Sequence, residues 1–193
     1  HFPYSEEKTE NSKDIAPRWG FGGYYNAIVY DMALGTNFGY QISKTNTGFI
    51  VRRFLPRALM LDTSFRGGTT SLTTAFGSGG AYGLVPTHDD RINVVGRSVF
   101  SGAWQATVAR YSTNGTLETS FSTTGVRRFL ISTNGEVLYG GVMDTNGRLL
   151  VSGYGSNGGI ANGFLARLES DGSFDTSFAT VGYAFYSQNG AAS

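Results

Sequence analysis

The pentapeptide Leu61-Asp62-Thr63-Ser64-Phe65 returns as Leu117-Glu118-Thr119-Ser120-Phe121 and again as Phe174-Asp175-Thr176-Ser177-Phe178, at offsets of 56 and 57 residues. Two further segments keep the same spacing. Val85–Gly96 aligns without a gap on Val142–Gly153, and Val108-Ala109-Arg110-Tyr111 on Leu165-Ala166-Arg167-Leu168. Three segments with one period make an internal repeat, and a chain of repeats must bury each unit against its neighbours. Within a unit the apolar residues fall in short runs separated by Asn-Gly or Asp-Gly pairs, and no run has helical spacing. These pairs predict type I′ hairpin turns. The expected fold class is therefore all-β, in propeller-type blades of four antiparallel strands with about three blades per chain.

We place a solvated, charge-rich arm over 1–23 and a repeat domain over 24–193. Its expected units are about 24–65, 66–121 and 122–178, with a closing strand in 179–193. The first unit reads as Tyr24–Asp31, Leu34–Ile42 and Phe49–Leu55, lacking an opening strand. The other units open with Thr69–Phe76 and Val126–Ser132, and Val181–Tyr186 is an opening strand with nothing after it. The two incomplete ends sum to one blade, giving three, and a propeller ring takes about four to eight. The expectation is a homo-oligomer, or a subunit of a larger assembly, in which the tail strand of one chain completes the first blade of another. A piece of a longer propeller and an open solenoid are the alternatives.

The run Ala166-Arg167-Leu168-Glu169-Ser170-Asp171-Gly172-Ser173-Phe174-Asp175-Thr176-Ser177-Phe178, together with Asn146-Gly147-Arg148-Leu149-Leu150-Val151-Ser152-Gly153, resembles the signature of the delta-60 repeat. That repeat occurs in bacterial, mostly exported, β-propeller-like proteins. The resemblance spans Leu61 to Tyr183 and weakens before it, where Leu55-Pro56-Arg57-Ala58-Leu59-Met60 stands in place of a polar turn. It implies a fold and an extracellular, cell-surface or periplasmic setting, and it brings no catalytic residues.

The repeated positions have a local physical account. Asp62 and Asp175 can accept a hydrogen bond from the N–H two residues on, fixing the turn; Glu118 is one methylene longer and suits that closure less well, so Thr119 or Ser120 is expected to take its place in the middle unit. Phe65, Phe121 and Phe178 are expected to drop their rings between blades, and Arg53, Arg110 and Arg167 to span neighbouring blades.

Little else points to chemistry. There are no cysteines, which removes disulfides, thiolate metal sites and cysteine nucleophiles. The formal charge of +1 offers no field for a nucleic-acid backbone, and no run approaches the roughly 18 apolar residues of a spanning helix. The chain opens at His1 and not Met, as a processed or excised segment does. His1 and His88 are the two histidines, and an N-terminal amine with two imidazoles is the ligand set of a copper brace, so copper is the one cofactor considered. Trp104, in a strand, and Trp19, outside the repeat, are the candidates for stacking on a sugar. The leading functional expectation is a non-catalytic structural or protein-interaction subunit of an exported or cell-surface assembly. A carbohydrate-binding propeller module comes next, and a copper-dependent oxidative enzyme using His1 and His88 after it.

Overall fold

The computed structural model describes residues 28–157 and 160–186. Three antiparallel sheets follow one another along the chain. The first holds β1 (Ile28–Leu34), β2 (Gly39–Thr45), β3 (Gly48–Leu55), the short β4 (Met60–Leu61) and β5 (Thr69–Ser71), with β4 and β5 both on the outer edge of β3. The second is β6 (Gly80–Pro86), β7 (Ile92–Phe100), β8 (Ala103–Tyr111) and β9 (Val126–Phe129), in that order. The third is β10 (Glu136–Met143), β11 (Leu149–Asn157), β12 (Ile160–Leu168) and β13 (Tyr183–Tyr186). Apart from the two-residue β4, each sheet is a four-strand meander that begins on the inside, where β1 packs on β6 and β6 on β10. These are propeller blades.

The second blade is a filled sandwich layer. Leu84, Ile92, Val94, Ala109 and Tyr111 face the first sheet in one apolar cluster. Val85, Val95, Ala106 and Val108 face the third sheet in another. A strand covered on both faces needs apolar residues on both, and Val94-Val95 supplies one to each cluster.

The grouping of strands differs from the sequence expectation. Val126–Phe129 does not open the third blade: it pairs with β8 and finishes the second. In the same way Thr69–Ser71 finishes the first blade on β3, and Tyr183–Tyr186 finishes the third on β12. The expected borders after 65 and 121 therefore each detach a strand from its sheet. Tyr183–Tyr186 is thus not left over for another chain, and among the described residues the strand exchange expected from the incomplete ends has no strand to exchange. The cause lies in the corner. Glu118 N–H donates to the Arg110 carbonyl and Arg110 N–H to the Gly125 carbonyl, which turns the chain back along the free edge of β8.

Two smaller departures share that local origin. Leu34–Ile42 is not one strand, because a turn closed by the Gly35 N–H on the Phe38 carbonyl interrupts it. Thr69–Phe76 leaves the strand conformation after Ser71 and makes one helical turn at Thr73–Phe76. Nor are the Asn-Gly turns type I′. At Asn114-Gly115, Asn146-Gly147 and Asp171-Gly172 only the glycine has positive φ, between 80° and 87°. The Asx side chain instead accepts N–H groups ahead of it, Thr116 on Asn114 at 3.0 Å and Ser173 on Asp171 at 2.8 Å. A type I turn ending in a left-handed glycine serves a longer hairpin loop.

Candidate functional site

The repeated arginine, acid and phenylalanine meet where one blade touches the next. In the first blade Arg53 is fully buried and holds Asp62 through Nε at 2.7 Å and Nη2 at 2.6 Å. Its Nη2 also donates to the Ser64 hydroxyl, and its Nη1 crosses to the Thr113 carbonyl of the second blade at 2.6 Å. Asp62 in turn accepts the Ser64 N–H at 3.1 Å. Burial pushes its carboxyl pKa up, but the Ser64 hydroxyl and N–H and the Arg53 guanidinium outweigh that and hold it below the usual value. Phe65 lies under the guanidinium and against Gly115 of the second blade, where a Cβ would stand 3.3 Å from the ring. Gly115 is thus doubly required, by its positive φ and by the Thr70 hydroxyl, which a Cβ would approach to 2.8 Å.

The same parts recur one blade on, with one change. Arg110 Nη1 donates to the Ser170 carbonyl at 2.6 Å, and Phe121 sits beneath Arg110 and against Gly172. Glu118, however, holds the Ser120 hydroxyl and forms no ion pair with Arg110. Arg110 Nε takes the Asn93 side-chain oxygen instead, and Nη2 is buried with no partner in the protein. Burial foremost, and Arg91 after it, pull the Arg110 pKa down to about 10. In the third blade Arg167 Nε binds Asp175 at 2.6 Å and Nη2 the Ser177 hydroxyl, over the ring of Phe178. Asp175 accepts the Ser177 N–H at 2.9 Å. Among the described residues the third arginine has no blade beyond it to reach.

A second recurring feature was not singled out in the sequence. The inner strand of every blade carries a one-residue β-bulge, at Tyr30, Tyr82 and Tyr139. The bulges bring these rings into one row, with centroids 5.9 Å apart from Tyr30 to Tyr82 and 5.7 Å from Tyr82 to Tyr139. Tyr154 continues the row at 6.0 Å. A bulge re-aims the side chain it carries, and here it turns three phenols toward the shared inner edge. The signal was present as Tyr-Gly at 82 and 139, within the period already recognised.

The third feature is the pair of uncovered faces. Residues that pack the second blade on the third are buried, namely Val85, Asn93, Val95, Val108 and Arg110. Their counterparts in the third blade are Val142, Leu150, Ser152, Leu165 and Arg167, none of them buried, and Val142 is 59% exposed. At the other end Met32 and Leu34 of β1 are 69% and 80% exposed, where Leu84 of the second blade is buried. A pocket of about 230 Å³ opens on that face, walled by Met32, Leu34, Phe54, Pro56 and Leu59 among others.

The remaining candidates are placed as follows. His1 and Trp19 lie outside the described residues. His88 is exposed on the β6–β7 turn, its carbonyl accepting the Thr36 hydroxyl, and lines a pocket with Asp89, Arg91, Arg110 and Met143. Arg91 foremost, assisted by the Thr87 hydroxyl, lowers the Asp89 carboxyl to about 2. Among the described residues no three His, Cys, Asp or Glu side chains group to hold a metal, and no helix is long and apolar enough to cross a membrane. Trp104 is partly exposed on β8 and is capped by the Arg97 guanidinium at 4.2 Å.

A family model described as a β-propeller domain of unknown function (DUF5122) matches residues 88–121 and 145–178. The matched segments are themselves 57 residues apart and both end on the corner phenylalanine. The chain carries β-propeller repeats. No curated protein matches it.

Proposed function

We propose that this chain is a non-catalytic β-propeller module of the delta-60 type, a structural or interaction subunit of an exported assembly, and that its two outer blade faces are its working surfaces. The observation that carries the reading is the contrast between equivalent residues: Val85 is buried and Val142, one period later, is exposed. A blade face with apolar residues at repeat-core positions loses the free energy of their burial when left in water, about 1.5–3 kcal/mol for each large side chain. The repeated polar groups are engaged in joining blades, and among the described residues they do not converge on a point where a substrate atom could react.

Native mass spectrometry with hydrogen exchange tests this. Association accompanied by protection of β1 and of β10–β12 supports the reading. A single copy whose outer-blade amides exchange like its loop amides, with or without added binding partners, refutes it. A carbohydrate-binding role is favoured by the row of Tyr30, Tyr82, Tyr139 and Tyr154, three of them exposed. Oligosaccharide titration of the wild type and of Tyr139→Ala decides it, since ring stacking requires the phenol.

A further inference from the structure

The joint between blades is built twice inside the chain from matching parts, and the two outer faces are the separated halves of a third. On the donor side stand an arginine whose Nη1 reaches across, a phenylalanine beside it, and an apolar face. On the acceptor side stand the carbonyl two residues beyond the end of the third strand's ladder and the pocket beneath that turn. In the two joints present, Arg53 meets the carbonyl of Thr113, two past Tyr111, and Arg110 that of Ser170, two past Leu168. Tyr111 and Leu168 occupy the same register, opposite Ile92 and Leu149, and Phe54 occupies it in the first blade, opposite Gly39.

We propose that a second copy of this chain completes the joint, the third blade of one copy docking on the first blade of another. The inference rests on the interaction reading above and names its partner. Arg167 then donates to the Pro56 carbonyl, two residues past Phe54, and Phe178 enters the pocket between Phe54, Pro56, Leu59 and Leu34. The fit is chemical as well as positional. An apolar cavity of about 150 Å³ accommodates a benzene ring, so the 230 Å³ pocket holds a phenyl group. Phe178 is half-buried where Phe65 and Phe121 are fully buried, as a ring missing its lid must be.

The corner turn gives the second, independent argument. The second and third blades close it with polar residues, Ser112 to Thr116 and Glu169 to Ser173. The first blade closes it with Leu55-Pro56-Arg57-Ala58-Leu59-Met60, and Leu55, Leu59 and Met60 are all exposed. Apolar residues replace polar ones at the corner that, among the described residues, no neighbouring blade covers. Two copies joined at both ends place six blades around one axis, within the usual propeller range of about four to eight. A two-fold along that axis makes the two joints identical and leaves no blade face open.

The test uses one substitution on each half, at exposed positions that leave the fold intact. Leu34→Glu spoils the acceptor face and Val142→Glu the donor face. The wild type is expected as a two-chain species by sedimentation velocity, and each variant alone at half that mass with an unchanged circular dichroism spectrum. An equimolar mixture of the two variants is expected to recover mixed dimers, because one joint then has both halves intact. A wild-type chain that stays single overturns the proposal. So does an associating wild type whose variants remain dimeric, or a mixture that stays single; in these last two cases the interaction reading survives and the head-to-tail joint falls.

Discussion

Replacing Glu118 with Asp should make the protein more stable, although the change removes a methylene and touches no apolar contact. The backbone at the three corners is equivalent: the amides of Asp62, Glu118 and Asp175 donate to the carbonyls of Arg53, Arg110 and Arg167, each at 2.9 Å. At that position the two aspartates reach their arginines at 2.6–2.7 Å, whereas Glu118 leaves the buried Arg110 Nη2 unpartnered. Arg110 is buried whether or not it is paired, so its desolvation penalty is already present and a new carboxylate partner adds stabilisation without repeating it. A buried unsatisfied donor on a charged group is worth about 1–3 kcal/mol. Taking about 1–2 kcal/mol, and about 3 °C per kcal/mol for a chain of this size, the melting temperature should rise by about 3–6 °C. Differential scanning calorimetry at neutral pH reads this directly. Glu118→Gln serves as the control and should bring no gain, and Asp62→Glu should lower the melting temperature by a comparable amount. A folded Glu118→Asp protein that melts at or below the wild type would show that Arg110 lacks nothing, and the explanation of the repeated acid would fall with it.

The corner phenylalanines should differ by position. Phe121→Ala empties a fully buried site and should cost about 3–5 kcal/mol, while Phe178→Ala should cost well under half of that in the single chain by urea denaturation. Gly96→Ala and Gly153→Ala should each prevent stable folding, because a Cβ would lie 1.9 Å from the carbonyl oxygen of Gly80 or Val137; soluble yield and circular dichroism check this. Acid should unfold the protein through its aspartates. Asp62, Asp89, Asp144, Asp171 and Asp175 all have lowered folded-state pKa values, Asp89 and Asp175 about 2. A group depressed on folding stabilises above its unfolded pKa and loses that contribution as pH falls through its folded one. The melting temperature should therefore hold from pH 7 to 5 and decline between about pH 4 and 2; a decline centred near pH 6 would exclude these carboxylates as its cause.

The repeat made most of the architecture readable. Period, Asx-Gly turns and short apolar runs are local, and they determined an all-β chain of three four-stranded blades. The corner was legible too, because Asp175 and Phe178 recur as residue types whose chemistry is specific: a short carboxylate that closes on its own backbone, and a large ring that must be covered. The tyrosine row is legible only in part: Tyr-Gly recurs at 82 and 139, but the bulge that aims the rings is a relation between two strands, invisible in either alone.

What the sequence could not supply was the origin of the repeat. A period of 57 residues is unchanged by sliding its starting point, so Val126–Phe129 could open one blade or close another with the same spacing. Tertiary structure decided it, through the hydrogen bonds of the Arg110–Gly125 corner that hold the returning chain on the open edge of β8. That choice completes every sheet within the chain and moves the unmet contacts from strand edges to blade faces. Whether an apolar residue at a repeat position is core or surface follows from what lies across from it: Val85 and Val142 are the same residue one period apart, and among the described residues only Val85 faces a further blade.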